Sequence, residues 1–344
     1  MRIAITVDPE IPVPPIEYGG IERIVSMLIG EYSAASHEVT LFAHKDSKTD
    51  AKLHPFPGKR SHSKFDTLRN MHLISTEVYK GDFDILHSFS RLAYLTFVLP
   101  LRMPKIMSYQ RKPTPEQILK AQKLSFRQSL MFTGCSNFIT NQIIPYGNAT
   151  TIYNGFPEDN YSCSVEIADD ASLVFLGRIE PFKGTHHAIE IAKKSGKKLI
   201  IAGNISSEHQ HYFDNTVAPF IDNQQIFYIG SVNDKQKAVL LSQALALLMP
   251  IEWDEPFGIV MVEAMACGTP VIALSRGAIP EIIKQGVTGY ACESLDECVH
   301  KVSFIHKLNR KSVRLEADRR FSSRVIARNY MKLYEEMINK TRKV

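Results

Sequence analysis

The chain has a single tryptophan, only five cysteines, and no apolar run approaching the ~20 residues of a membrane-spanning helix. Each shortage removes a class of protein. Five is an odd number of cysteines, and none stands at zinc-site spacing; Cys292 and Cys298 are close in sequence but lack further partners. They fit reduced thiols in a cytoplasm better than a disulfide framework. The opening Met-Arg-Ile-Ala-Ile-Thr-Val-Asp lacks a long apolar stretch and a small-residue cleavage site, so it reads as a strand and not as a signal peptide. There is no G-x-G-x-x-G fingerprint, and no nucleic-acid-binding motif accompanies the net charge of +5.

What is present is an ordinary soluble composition, 44% hydrophobic and 22% charged, in 344 residues, which is length for two domains. The charge is uneven. Residues 1–155 carry 18 Lys/Arg against 13 Asp/Glu, residues 156–321 carry 17 against 21, and residues 322–344 carry 6 against 2. A basic first half and a basic tail are compatible with an anionic acceptor, with peripheral contact at a lipid surface, or with a solvated face.

The most informative stretch is residues 244–274. The apolar run from Ala244 to Met249 reads as a buried strand ending at Pro250. Pro256-Phe257-Gly258 is expected to open a helix carrying Ile259, Val260, Val262, Met265 and Ala266, since proline is tolerated in a first helical turn. Gly268-Thr269-Pro270 stops it, and Val271 to Leu274 is the next strand. Strand, loop, helix and strand in this order build a parallel sheet, whose ligands bind beyond the carboxyl ends of the strands. Glu255 in the loop and Glu263 on the helix bracket the backbone N–H groups of Phe257, Gly258, Ile259 and Val260. A helix N-terminus offers unpaired donors and partial positive charge, glycine admits close approach, and carboxylates accept from sugar hydroxyls. Taken singly, either glutamate could equally serve the helix dipole or a solvated face.

The segment Glu-Pro-Phe-Gly-(x)4-Glu-Ala-Met-Ala-x-Gly-x-Pro-Val resembles the Glu-x7-Glu signature of retaining nucleotide-sugar glycosyltransferases of family 4. The resemblance implies the GT-B fold, an α/β architecture of two doubly wound, Rossmann-like parallel-sheet domains facing across a cleft. It implies that Glu255 contacts the hydroxyls of the donor sugar and Glu263 the ribose.

Upstream, Ser172 to Leu176 reads as a strand, followed by Gly177-Arg178-Ile179-Glu180-Pro181-Phe182-Lys183-Gly184 and a helix from Thr185 to Lys194. Two cations beside a helix N-terminus at a strand's carboxyl end make a diphosphate site. Gly-Arg-(x)4-Lys-Gly also resembles the family, in which Arg178 and Lys183 would neutralise the leaving group. Leu199 to Ala202 and Gln225 to Ile229 read as the next strands, and the loops at their ends, at Gly203 and from Gly230 to Asn233, are expected to hold the base.

In the first half, Arg2 to Val7 is a strand, residues 8–20 form a Pro-rich loop ending at Gly19-Gly20, and a helix follows from about Ile21. By resemblance, Gly19 and Gly20 face the donor diphosphate and the acceptor. Residues 45–63 read as a loop, Phe65 to Tyr79 as a helix, and Asp84 to His87 as a strand whose ligand end carries His87. A histidine there is commonly structural; the resemblance makes it a contact to the donor sugar. Asp82-Phe83-Asp84 spells Asp-x-Asp but precedes its strand, which puts it on the side away from ligands. Lys105 to Tyr109 and Leu130 to Cys135 read as the last strands of this half, joined by an amphipathic helix from Pro115 to about Ser129 that could lie on a membrane or on its own domain. Residues 157–170 read as a polar linker, and the last helix, from about Ser322, is expected to return to the first domain.

The expected domains are thus 1–156 with the helix of 322–344, binding the acceptor, and 157–321, binding the nucleotide sugar. The expected reaction is transfer of a hexosyl unit from a UDP- or GDP-sugar to a hydroxyl of a sugar, lipid-linked or small-molecule acceptor, with no metal and no cofactor. The alternatives are a noncatalytic nucleotide-sugar-binding subunit and a GT-B sugar phosphorylase or epimerase.

Overall fold

A computed structural model describes residues 1–16 and 19–342; Glu17 and Tyr18 of the Pro-rich loop and the last two residues lie outside the described set. The chain divides into two compact units, residues 1–155 with 323–344, and residues 156–322.

The first unit is built on seven parallel strands among the described residues: β1 (Arg2–Thr6), β2 (Glu38–Ala43), β3 (Lys52–Pro55), β4 (Ile85–Ser88), β5 (Lys105–Tyr109), β6 (Leu130–Gly134) and β7 (Ala149–Thr151), in the order β3-β2-β1-β4-β5-β6-β7. Burial explains their composition. Ile3, Ala4 and Ile5 of β1 are fully covered, as are Leu41 and Phe42 of β2, which gives continuous apolar runs instead of alternation. The helix Gly20–Ala34 follows β1, and the C-terminal helix Ser323–Arg342 packs against it. That last helix buries Ile326, Ala327, Tyr330, Leu333, Tyr334 and Met337, a stripe at three- and four-residue spacing. The Tyr334 hydroxyl reaches that of Tyr32 at 3.1 Å, and Ser323 Oγ donates to Glu31 at 2.5 Å.

The second unit repeats the plan with six parallel strands: β8 (Leu173–Leu176), β9 (Leu199–Ala202), β10 (Ile226–Tyr228), β11 (Ala246–Met249), β12 (Val271–Leu274) and β13 (Gly289–Cys292), ordered β10-β9-β8-β11-β12-β13. Leu173, Phe175, Ile201, Leu248 and Ile272 meet in its core. In both sheets strand order reverses once, between β1 and β4 and between β8 and β11. Crevices outside such reversals are where doubly wound sheets bind ligands.

Several local expectations need correction. Residues 45–63 contain β3, a short edge strand of polar and apolar residues with no alternation to betray it; only its pairing with β2 makes it a strand. β7 follows β6 as a further edge strand, and β13 closes the second sheet. The amphipathic helix stops at Leu124, covering only Ile118 and Ala121 as its buried residues. The helix of the central unit starts at Ile259, not at Pro256, because Gly258 takes the left-handed conformation (φ 81°) and breaks any earlier turn. Residues 157–170 are not a free linker: Tyr161 is 5% exposed inside the second unit.

Candidate active site

The second unit brings Lys183 and Glu255 together, and glycine is the reason it can. β8 and β11 are neighbours, so the loops leaving their carboxyl ends lie side by side. Gly184 has φ 75°, and a Cβ there would stand 1.9 Å from the Pro250 carbonyl oxygen. No larger residue would let the Lys183–Gly184 turn touch the chain leaving β11. The Glu252 N–H then donates to the Phe182 carbonyl at 2.9 Å and joins the two loops. A third loop, after β12, supports the second: the Ala278 N–H donates to the Glu255 carbonyl at 2.8 Å, and Gly277 leaves no room for a Cβ against the Glu255 backbone.

On this frame Lys183 Nζ donates to Glu255 Oε2 at 3.1 Å, with side-chain exposures of 18% and 11%. The Trp253 indole N–H donates to the same oxygen at 3.0 Å, and the Lys183 ammonium lies 4.5 Å from the Trp253 ring centroid. The lysine is therefore held by a carboxylate and an aromatic face together, an arrangement that attracts a cation on both counts. Arg178 pairs with the buried Glu180 at 2.6 Å. Gly177 and Gly203 make contact through their backbones: a Cβ on Gly203 would fall 1.7 Å from the Gly177 carbonyl oxygen.

Glu263 is 6% exposed, deeper than a residue on a solvated helical face. Lys237 Nζ and the Tyr161 hydroxyl both donate to its Oε1, each at 2.6 Å. Burial and the Glu263 carboxylate push the Tyr161 hydroxyl far above the usual tyrosine range, so it remains a donor. Arg314 fixes Tyr161 in turn, donating from NH1 to the carbonyls of Tyr161 and Ala266 at 2.6 Å each. Tyr161, Lys237 and Trp253 were missed at the level of sequence. Tyr161 sits in a polar stretch, Lys237 on a mostly polar helix, and nothing in their spacing announces a buried partner.

Of the remaining candidates, Ile259 and Val260 form the first turn of the helix Ile259–Ala266, with Gly258 as its N-cap. The Phe257 ring is 2% exposed and packs edge-on against Phe321, so its side chain serves the core and only its backbone could meet a ligand. Gly20 opens the first helix of the first unit, and Gly19 is its N-cap. A Cβ at Gly19 would lie 2.7 Å from Pro15 Cβ and 2.8 Å from Glu22 Oε2, so packing alone demands glycine there.

His87 requires a correction. It is fully buried, Nδ1 meets the Tyr334 hydroxyl and Nε2 meets Ser108 Oγ, both at 2.6 Å, and Phe89 and Tyr330 cover its faces. Burial lowers its pKa to about 3. It is a hydrogen-bonded core residue that ties β4 and β5 to the C-terminal helix, and not a group presented to a sugar. Asp82 and Asp84 lie at the opposite strand ends, where Asp82 pairs with the Arg2 side chain and Asp84 accepts from the Arg2 N–H, both at 2.8 Å. Among the described residues, no helix is long and apolar enough to cross a membrane.

Residues 161–320 match the family described as glycosyl transferases group 1. A glycosyltransferase of Methanocaldococcus jannaschii, described as uncharacterised, is 31% identical over 185 residues, a stretch spanning 49% of this chain and 46% of that relative. Among solved structures, AviGT4, a glycosyltransferase involved in avilamycin A biosynthesis, superposes with a TM-score of 0.74 at 22% identity, covering 98% of both chains. An Anabaena protein solved in complex with UDP-glucose superposes at 0.72 and 18% identity, covering 98% of this chain and all of that one. The chain therefore has the two-sheet GT-B fold, and most of its second unit is similar to the glycosyl transferases group 1 family.

Proposed function

We propose that the chain is a retaining glycosyltransferase that moves a hexosyl unit from a nucleoside diphosphate sugar to an acceptor hydroxyl. The observation that carries this reading is the Lys183–Glu255 pair, formed by the loops of the two strands that flank the reversal in the second sheet. A cation, a carboxylate and a helix N-terminus converge there, as a diphosphate bonded to a sugar requires.

In the proposed reaction the bond from the anomeric carbon to the diphosphate oxygen breaks, and a bond from that carbon to the acceptor oxygen forms on the same face. Negative charge grows on the departing diphosphate. Lys183, Arg178 and the N–H groups at the start of the helix Ile259–Ala266 would stabilise it, so that preorganised charge does most of the catalytic work. The acceptor proton passes to the departing phosphate oxygen, and no enzyme nucleophile is assigned. Glu255 would orient the sugar hydroxyls. Glu263, anchored through Oε1 by Lys237 and Tyr161, would present its second oxygen to the ribose. Gly19, Gly20, Gly177, Gly203, Gly258, Ile259 and Val260 would contact the donor through their backbones, and the first unit would bind the acceptor. No metal is assigned a role.

A noncatalytic nucleotide-sugar-binding subunit would not need the cations, and both are present with partners that hold them in place. The test is turnover of UDP- and GDP-sugars by the purified chain, with and without added hydroxyl acceptors and with and without inorganic phosphate, and NMR assignment of the product anomer. Release of nucleoside diphosphate that rises with an acceptor, with the donor's anomeric configuration in the product, is expected. Phosphate-dependent sugar phosphate formation, epimerised donor, or binding without turnover would each overturn the reading in a distinguishable way.

A further inference from the structure

One cluster of metal-ligating side chains lies outside the groups assigned to the reaction. His186 and His187 stand in the first turn of the helix Thr185–Ser195, and Glu252 stands in the loop that leaves β11. A ring nitrogen of each histidine and a carboxylate oxygen of Glu252 lie within 4.8 Å of one another.

The backbone holds the three together. The hydrogen bond from the Glu252 N–H to the Phe182 carbonyl fastens the loop to the turn just ahead of the helix. His187 Nε2 then meets Glu252 Oε1 at 2.9 Å. The other nitrogen of His187, Nδ1, is buried, so Nε2 is the one it can offer. The Tyr212 hydroxyl meets His186 Nδ1 at 2.7 Å and fixes that ring, as an outer hydrogen bond fixes a metal-binding imidazole. The side chains of His187 and Glu252 are 18% and 49% exposed, so an ion can reach them from solvent.

The surrounding charges decide which ion fits. Lys183 is matched by Glu255 at 3.1 Å, and Glu190, one turn further along the helix, is taken by Lys194 at 2.8 Å. Glu252 has His187 as its side-chain partner, so its charge is the one open to a cation. The start of a helix carries partial positive charge, which opposes any cation. Direct ligation must therefore hold the ion, and Mg²⁺, which prefers oxygen ligands and water, gains too little. Two imidazoles and a carboxylate suit zinc and its neighbours, with a water in the fourth place. Ligands about 2.0–2.2 Å from zinc stand about 3.4 Å apart in a tetrahedron, so the widest gap must close by about 1.4 Å at most. Rotation of partly exposed side chains covers that distance.

We propose that His186, His187 and Glu252 bind one divalent transition-metal ion of the zinc class, with Tyr212 orienting His186. The ion takes no part in glycosyl transfer, and the site does not rest on that reading. Its place in the chain gives its effect. Lys183 lies three residues before His186, and Glu255 lies three residues after Glu252. The ion thus staples together the two loops that carry the Lys183–Glu255 pair, and its uptake stabilises the second unit.

Calorimetry and thermal unfolding of the full chain, stripped with EDTA and dialysed, test the site with Zn²⁺, Co²⁺ and Mg²⁺ as probes. One tight Zn²⁺ per chain is expected, with a Tm that rises in Zn²⁺ and not in Mg²⁺, because an ion that binds only the folded state stabilises it. Bound Co²⁺ should show the visible absorption of an ion ligated by nitrogen and oxygen. Glu252→Gln and His187→Gln are each expected to weaken Zn²⁺ uptake about 100-fold or more, and Tyr212→Phe about 10-fold, the lower end for loss of an outer partner. Glu252 is exposed, so its variant keeps a readable fold even if His187→Gln melts early. No uptake of Zn²⁺, or an equal response to Mg²⁺, would overturn the proposal. So would uptake undiminished in Glu252→Gln and in folded His187→Gln, which would assign the ion to other histidines and cysteines of the chain.

Discussion

Lys237 Nζ lies 2.6 Å from Glu263 Oε1, in a pair whose side chains are 11% and 8% exposed, joining the helix Asp234–Gln243 to the helix Ile259–Ala266. The carboxylate assigned to the ribose is thus part of the internal structure of its unit. Removing one partner of a buried pair strands the other, at a cost of about 3–5 kcal/mol, whereas replacing both by apolar residues is often close to neutral. Lys237→Met is therefore expected to lower the denaturant midpoint markedly, and Lys237→Met with Glu263→Met to recover most of the loss. The double variant should still bind nucleoside diphosphate poorly. Denaturant unfolding and calorimetry on both variants check this; an unchanged midpoint in Lys237→Met would show that the pair contributes nothing to stability.

The two assigned carboxylates should fail differently. Glu263 lies within the helix and its partners fix one oxygen, so Glu263→Gln is expected to weaken affinity for the bare nucleoside diphosphate. Glu255 sits in a loop against Lys183 and Trp253, so Glu255→Gln should mainly reduce kcat and leave that affinity within a few-fold. Titration of UDP and GDP, set beside steady-state rates, separates the two. Equal nucleotide affinity in Glu263→Gln and the unaltered chain would remove the ribose assignment.

Lys183→Ala and Arg178→Ala are each expected to slow turnover by roughly 10²–10³, the usual scale for a group that stabilises charge in a transition state. For Lys183 part of the effect will come through Glu255, which loses its cation as well as the diphosphate losing its ligand. Lys183→Arg restores charge without the geometry over the Trp253 ring and should recover only a fraction of the rate. Rates near those of the unaltered chain in both alanine variants would place the diphosphate elsewhere.

Activity is expected to survive excess EDTA. In the proposed reaction Arg178 and Lys183 supply the positive charge a divalent ion would otherwise bring, and Asp82 and Asp84 are engaged with Arg2 at the far strand ends. Among the described residues one group is spaced for metal ligation, His186, His187 and Glu252, with ligand atoms within 4.8 Å of one another. Loss of activity in EDTA that Mg²⁺ restores would contradict the assignment of charge to the cations. Loss restored by Zn²⁺ alone would point to the histidine group.

His87 makes the first unit sensitive to acid. Its folded pKa is lowered to about 3 from an ordinary 6.5. Between those values the unfolded chain binds a proton that the folded chain refuses, so stability rises with pH across this window and is lost as pH falls through it. Chemical unfolding followed from pH 7 down to pH 4 should show a slope containing about one proton from this site. His87→Gln should flatten it, although the variant starts less stable because Ser108 and Tyr334 lose their partner. An identical slope in the variant would assign the acid sensitivity to other groups.

Much of the fold was legible because it is written in short-range patterns. The apolar runs of β1, β8, β9, β11 and β12 are largely buried and so stand out against the polar loops between them. The strands that escaped, β3, β7 and β13, are short and sit at sheet edges, where pairing with one neighbour supplies what composition does not. The helix start at Ile259 was displaced for a similar reason: Pro256 is compatible with a first turn, and only the left-handed Gly258 rules it out.

The site divides along the same line. Sequence by itself determined the chemistry on offer: a Gly-Arg-(x)4-Lys-Gly loop, two glutamates eight residues apart, and a helix N-terminus between them, each set by local spacing. Tertiary structure alone decided which charges meet. It paired Lys183 with Glu255 across 72 residues and Lys237 with Glu263 across 26, it drew Tyr161 out of an apparent linker, and it turned His87 inward between Ser108 and Tyr334. The physical reason is that burial and ion pairing depend on which strand ends and helices become neighbours, and strand order in a parallel sheet is not a property of any one segment.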